Sequence, residues 1–124
     1  MLADRDAMAT IAVKDMNVAA RFYEGTLGFR PAPDTPGALV YQSGKSTFMI
    51  YQSRYAGTNE ATVATWAVDA DLEHIVRDLA AKGVRFEHYD LPGTTLNGDI
   101  HLAGGRKMAW LKDPDSNILA LTGR

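Results

Sequence analysis

The stretch Ala9–Arg30, ATIAVKDMNVAARFYEGTLGFR, is the unit from which the rest of the chain is read. Its first residues alternate, so Ala9, Ile11 and Val13 share one face of a strand while Met8, Thr10 and Ala12 share the other. Asp15 or Asn17 is then placed to cap a helix whose Ala19, Phe22, Tyr23 and Thr26 follow the i, i+3, i+4, i+7 stripe of a buried face. Gly28 is positioned to end that helix in the left-handed conformation, which glycine adopts without steric cost.

A weaker copy follows, since Val68 lies 55 positions after Val13 and Gly83 lies 55 after Gly28. Thr62–Val68 predicts a strand, Asp69 or Asp71 a cap, and Leu72, Ile75, Val76, Leu79 and Ala80 the cleanest helical stripe in the chain. Lys82 and Gly83 end this helix, and Val84–Tyr89 predicts the next strand.

Outward from the first unit, Pro31, Pro33, Pro36 and Gly37 make a loop with only a brief edge strand at Phe29–Pro31. A hairpin follows, Ala38–Gln42 and Thr47–Gln52 around a turn at Ser43–Lys45, and Arg54–Glu60 is a polar connector. In the second half, Asp90–Gly105 carries Pro92, Gly93, Gly98, Gly104 and Gly105 and reads as a long loop. Lys107–Leu111 and Ile118–Thr122 form a final hairpin around KDPDSN, Lys112–Asn117, where Pro114 presets φ for a type I turn and Asp113 suits its first position. The result is β-α-β-β-β twice, an α+β class in which each half is a sheet with its helix on one face and the other face open. One domain spans residues 1–124, with module one over about 8–53, a connector over about 54–61 and module two over about 62–122.

Composition narrows the function. A chain of 124 residues, 46% apolar, buries a real core. Thirteen basic groups against fifteen acidic ones leave a net charge of −2 without any block of like charge, so nucleic acid and membrane surfaces are not expected partners. Cysteine is absent, which excludes disulfides and thiolate chemistry. No apolar run approaches the ~20 residues of a membrane span, and MLADRDAMA lacks the form of a signal peptide; the expected location is the cytoplasm.

The motifs IAVKD, FYEGTLGF, WAV with its acidic cap and helix, KGVRFE and the terminal KDPDSNILAL together resemble the vicinal oxygen chelate superfamily of glyoxalases, bleomycin-resistance proteins and extradiol dioxygenases. The resemblance runs from Met8 to Thr122. It implies two βαβββ modules building a curved mixed sheet around a cavity, commonly as a homodimer. In the family's enzymes a divalent metal sits there on His, Glu or Gln side chains. Carried over residue by residue, those ligand positions fall on Met8, Met49, Val63 and Ala120, none of which is a useful donor to Mg²⁺, Zn²⁺, Mn²⁺ or Fe²⁺. The neighbours Ala9, Phe48, Ile50, Ala64 and Leu119 are no better, so no metal and no cofactor is expected.

If the faces that bear those positions line the cavity, Thr10, Met49, Tyr51, Val63, Thr65 and Ala120 line it too, with Gln42 and Trp110 as additions. Met, Tyr, Trp and Thr make an apolar pocket with a few hydrogen-bonding groups, against the plainer reading that these residues merely fill space. His101 follows Asn97, Gly98 and Asp99 in the long loop, where it stands as a candidate acid, base or ligand contact; His88 ends the FEHYD strand, and His74 lies on a helix facing solvent. His88, Asp99 and His101 are of suitable type for a different metal site but lack a chelating spacing. Arg54 and Arg106 flank the hairpins and suit an anionic group. The leading expectation is a metal-independent protein that sequesters a small apolar or aromatic ligand. The alternatives are a glyoxalase-type lyase, isomerase or dioxygenase using His101 or His88 in place of the metal, and a domain that acts through oligomer contacts.

Overall fold

A computed structural model describes residues 1–32 and 38–124. The loop expected at Pro33, Pro36 and Gly37 lies outside the described residues. The backbone divides into two compact units, Met1–Asn59 and Glu60–Arg124.

In the first unit, β1 (Ala9–Val13) runs parallel to β4 (Ser46–Gln52), and antiparallel β3 (Ala38–Ser43) and the short edge strand β2 (Arg30–Pro31) complete the order β1-β4-β3-β2. Asp15 caps α1 (Met16–Ala20), its Oδ1 accepting from the amides of Asn17 at 2.8 Å and Val18 at 3.2 Å. The helix continues as a wider π-helical turn, Arg21–Thr26, and closes at Gly28, whose φ is +82°. The Phe29 amide reaches back to the Tyr23 carbonyl across it. Ala19 and Tyr23 are buried against one face of the sheet, where Ile11, Val13, Tyr41, Phe48 and Ile50 are also buried. Tyr23 stacks on Tyr41 at 6.1 Å, and Phe29 meets Phe48 edge-on at 4.9 Å. Full burial of one such aliphatic side chain, Ile50 for example, favours folding by about 1.5–3 kcal/mol.

The second unit holds β5 (Thr62–Ala67), α2 (Leu72–Ala81), β6 (Phe86–Glu87), β7 (Thr95–Asn97), β8 (Ile100–Ala103), β9 (Arg106–Lys112) and β10 (Ile118–Gly123), with sheet order β5-β10-β9-β8-β7 and β6 also paired to β9. α2 ends in a Schellman motif: the Val84 amide bonds the Leu79 carbonyl and the Gly83 amide the Ala80 carbonyl, with Gly83 at φ +92°. Its start corrects the expectation of a side-chain cap. Asp69–Asp71 form a 3-10 turn, Asp69 takes φ +47°, and neither aspartate caps through its side chain.

Two further expectations are corrected. The strand expected over Val84–Tyr89 is only Phe86–Glu87, since β9 offers that edge only Trp110 and Leu111. The segment Asp90–Gly105, expected to be a loop, contains the hairpin β7–β8, joined through Gly98 at φ +62° and Asp99, and Gly104 at φ +55° turns β8 into β9. β6 and β8 thus lie end to end along one edge of β9, β8 beside Arg106–Met108 and β6 beside Trp110–Leu111.

Candidate functional site

Strand register decides which side chains share a face. In the first unit Thr10 pairs with Met49, Ala12 with Tyr51, and Met49 with Val40; Gln42 is two residues from Val40 and pairs with Thr47. Thr10, Gln42, Met49 and Tyr51 therefore share the face opposite α1, a partly exposed surface on which Tyr51 is 39% exposed.

In the second unit Ala120 pairs with Thr65 and Trp110, Trp110 with Glu87, Met108 with His101, and Arg106 with Ala103. These residues lie on the face opposite the one that receives α2, which packs against Gly123 through the Asp69 carbonyl and Leu72. Val63 alternates with Thr65 onto the same face, beside the register shift between Ile118 and Leu119. Thr65 and Arg106 are exposed, Val63 and Trp110 partly buried, and Ala120 buried.

On that face His101 is completely buried. Its ring meets Trp110 edge-on at 4.8 Å and lies 6.3 Å from Tyr89, which in turn meets Trp110 at 5.3 Å. The Tyr89 amide donates to His101 Nε2 at 3.0 Å. Two buried polar atoms of this trio, His101 Nδ1 and the Tyr89 hydroxyl, have no hydrogen-bond partner among the described residues. Loss of solvation pushes the Tyr89 pKa up, Glu87 adds to the rise and Lys112 opposes it; Lys112 Nζ lies 3.4 Å from Glu87 Oε1. Exposed Leu96 pairs with His101 and adds apolar surface at its side.

His88 stands apart from this trio. It is half exposed and its Nε2 lies 2.8 Å from Asp99 Oδ1, with its ring 6.4 Å from that of His101. Tyr89 is the residue that sequence reasoning passed over. In FEHYD, alternation from buried Phe86 assigns Glu87 and Tyr89 a common phase, and that phase was the available signal.

The side chains at the positions where the resemblance places metal ligands do not fit a metal. Thr47 Oγ1 donates to Met8 Sδ at 3.5 Å, Met49 pairs with Thr10 and Val40, Val63 brings an alkyl group, and Ala120 lies between Thr65 and Trp110. No carboxylate, imidazole or carboxamide is found among these residues or their paired neighbours. Among the described residues no group of three or more His, Cys, Asp and Glu side chains is arranged to hold an ion. In the set His88, Asp99 and His101, the first two engage each other and His101 Nε2 is taken by the Tyr89 amide. An open groove of about 610 Å³ is lined by Lys14, Gln52, Ser53 and Arg54, whose guanidinium stacks 4.9 Å from the Tyr55 ring. No helix among the described residues is long and apolar enough to cross a membrane.

No curated protein sequence matches the chain. Among solved structures, an integron cassette protein from the mobile metagenome of the Halifax Harbour sewage outfall superimposes with a TM-score of 0.71 at 16% identity, covering 97% of this chain and 100% of the other. The fosfomycin resistance protein FosX of Listeria monocytogenes gives a TM-score of 0.72 at 11% identity, covering 97% and 93%. FosX of Mesorhizobium loti gives 0.68 at 15% identity, covering 98% and 92%. At such identities these likenesses speak for the fold. The family model of the glyoxalase/bleomycin resistance protein/dioxygenase superfamily matches residues 7–121, nearly the whole chain, and the chain belongs to that superfamily.

Proposed function

We propose that the protein is a metal-independent small-molecule-binding member of this superfamily that sequesters a small apolar or aromatic ligand on the His101–Trp110–Tyr89 face. The observation that carries this reading is a pair of buried polar atoms, without partners among the described residues, set against the Trp110 indole. Burying such atoms unpaired costs about 1–3 kcal/mol each, a cost that a bound ligand offsets. Aromatic area supplies affinity and the polar atoms supply orientation. Thr65, Val63, Ala120 and Arg106 flank this face, while Thr10, Gln42, Met49 and Tyr51 offer a comparable surface in the first unit. The two fosfomycin resistance proteins of similar fold support a role in handling small molecules.

An enzyme using His101 or His88 in place of a metal is less well supported. His88 is paired to Asp99, and one acid or base accelerates a reaction by about 10²- to 10⁴-fold without the charge stabilisation of a metal. The proposed assembly is a homodimer, as the family resemblance implies, and light scattering on the eluting protein checks it.

A thermal-shift screen with aromatic small molecules tests the binding reading. Ligand at 100 times its Kd stabilises the folded state by about 2.7 kcal/mol, a rise of several degrees in Tm, and Trp110→Ala removes that rise. If no compound raises Tm, the reading fails. Metal analysis tests the other half: stoichiometric Zn²⁺, Ni²⁺ or Fe²⁺ retained on dialysis and lost in His88→Ala and His101→Ala would sink metal independence.

A further inference from the structure

The two buried polar atoms can be assigned donor and acceptor roles. The Tyr89 amide donates to His101 Nε2 at 3.0 Å, so Nε2 is an acceptor and bears no proton. A neutral imidazole then carries its proton on Nδ1, which makes the unpartnered Nδ1 a donor in need of an acceptor. Protonating Nε2 as well would set two donors against each other and put a cation in a completely buried site. The Tyr89 hydroxyl is the second such atom, and burial keeps it protonated as a neutral donor. Both rings lie against Trp110.

Resting on the binding reading above, we propose that His101 acts as a neutral Nδ1–H donor to the carbonyl oxygen of an uncharged aromatic ketone, aldehyde or amide whose ring packs on Trp110. A hydrocarbon of the same shape fits worse because it leaves Nδ1–H unpaired. A carboxylate fits worse because the trio contains no cation: Lys112 on this face engages Glu87, Glu87 itself pairs with Trp110, and Arg106 is at the exposed start of β9. His101 therefore positions a ligand and neither gives nor takes a proton. This departs from the acid or base role that its sequence context suggests.

The test uses the full-length protein labelled with ¹⁵N, with acetophenone, benzoate and ethylbenzene as probes. Long-range ¹H–¹⁵N spectra of the imidazole at neutral pH are expected to show bare Nε2 and protonated Nδ1. Acetophenone is expected to shift the Nδ1 resonance and to bind about tenfold more tightly than either other probe. His101→Phe, which keeps a ring beside Trp110, is expected to lose that preference and to bind acetophenone no more tightly than ethylbenzene. Three results overturn the proposal: a protonated Nε2, benzoate or ethylbenzene binding as tightly as acetophenone, or a His101→Phe variant that keeps the acetophenone preference. Each leaves the small-molecule reading standing, because something still binds or the binding is untouched by the tautomer. If none of the three probes binds, the carbonyl proposal and the binding reading at this face fail together.

Discussion

Asp113 is buried, and its carboxylate holds the last turn of the chain together. Oδ1 accepts from the amides of Asp115 and Asn117, both at 2.9 Å, and Oδ2 accepts from Asn117 Nδ2 at 2.8 Å. Ser116 takes φ +69° and its amide closes the turn onto the Asp113 carbonyl. Asp113→Ala leaves those donors unpaired beside a buried strand start, and urea denaturation is expected to show a loss of about 2–4 kcal/mol. Gly123, at the end of β10, is closely packed. A Cβ there would clash with the Asp69 carbonyl oxygen and lie 3.2 Å from Leu72 Cβ, and the first of these is backbone with little room to move. Gly123→Ala is expected to cost about 1–3 kcal/mol through overpacking, read as a lower urea midpoint at unchanged m-value.

Among the elements, α2 is tied to β9 by the ion pair between Glu73 and Lys107. The hydrogen bond from Lys107 is the largest cause that lowers the Glu73 pKa from its ordinary 4.5. The unfolded chain thus binds this proton more readily than the folded one. The pair's contribution is complete above about pH 4.5 and is lost as the pH falls through the lowered value. Glu73→Gln is expected to flatten the acid limb of the stability profile: the variant matches the wild type near pH 3 and falls below it at pH 7, by a small margin because the pair is partly exposed and screened. Urea midpoints measured at pH 3 and pH 7 for both proteins check this. At this scale much was legible in advance: the Asp15 cap and the stops at Gly28 and Gly83 depend on contacts within a few residues, and local chemistry encodes them. The β7–β8 hairpin was not, because Leu96 and Asn97 are exposed and Thr95 polar, and no apolar alternation marks a strand that, among the described residues, pairs with β8 alone. The side-chain cap expected at Asp69 or Asp71 failed because a 3-10 turn occupies the position where such a cap would form.

For the whole molecule, the repeat 55 residues apart and the order of the motifs were enough to identify the superfamily, and the family match over residues 7–121 agrees. The candidate site was only half legible. Thr65, Trp110 and Ala120 emerge on one face because they sit in long strands with regular alternation. Tyr89 and the strand setting of His101 depend on how β6 and β8 share an edge, a pairing between residues far apart in the chain. Where β6 gives way to β8, the Tyr89 amide is held by a side chain and not by a strand partner. That amide is a built-in reporter. Its hydrogen exchange is expected to follow the breaking of the His101 contact, whereas the amides within the β9–β10 ladder are expected to follow the opening of the sheet. In His101→Phe, exchange at Tyr89 is expected to accelerate by about tenfold or more while Leu111 keeps its wild-type rate. A ligand seated on His101 is expected to slow Tyr89 alone, so a single amide resonance distinguishes occupancy of this face from general stiffening of the protein.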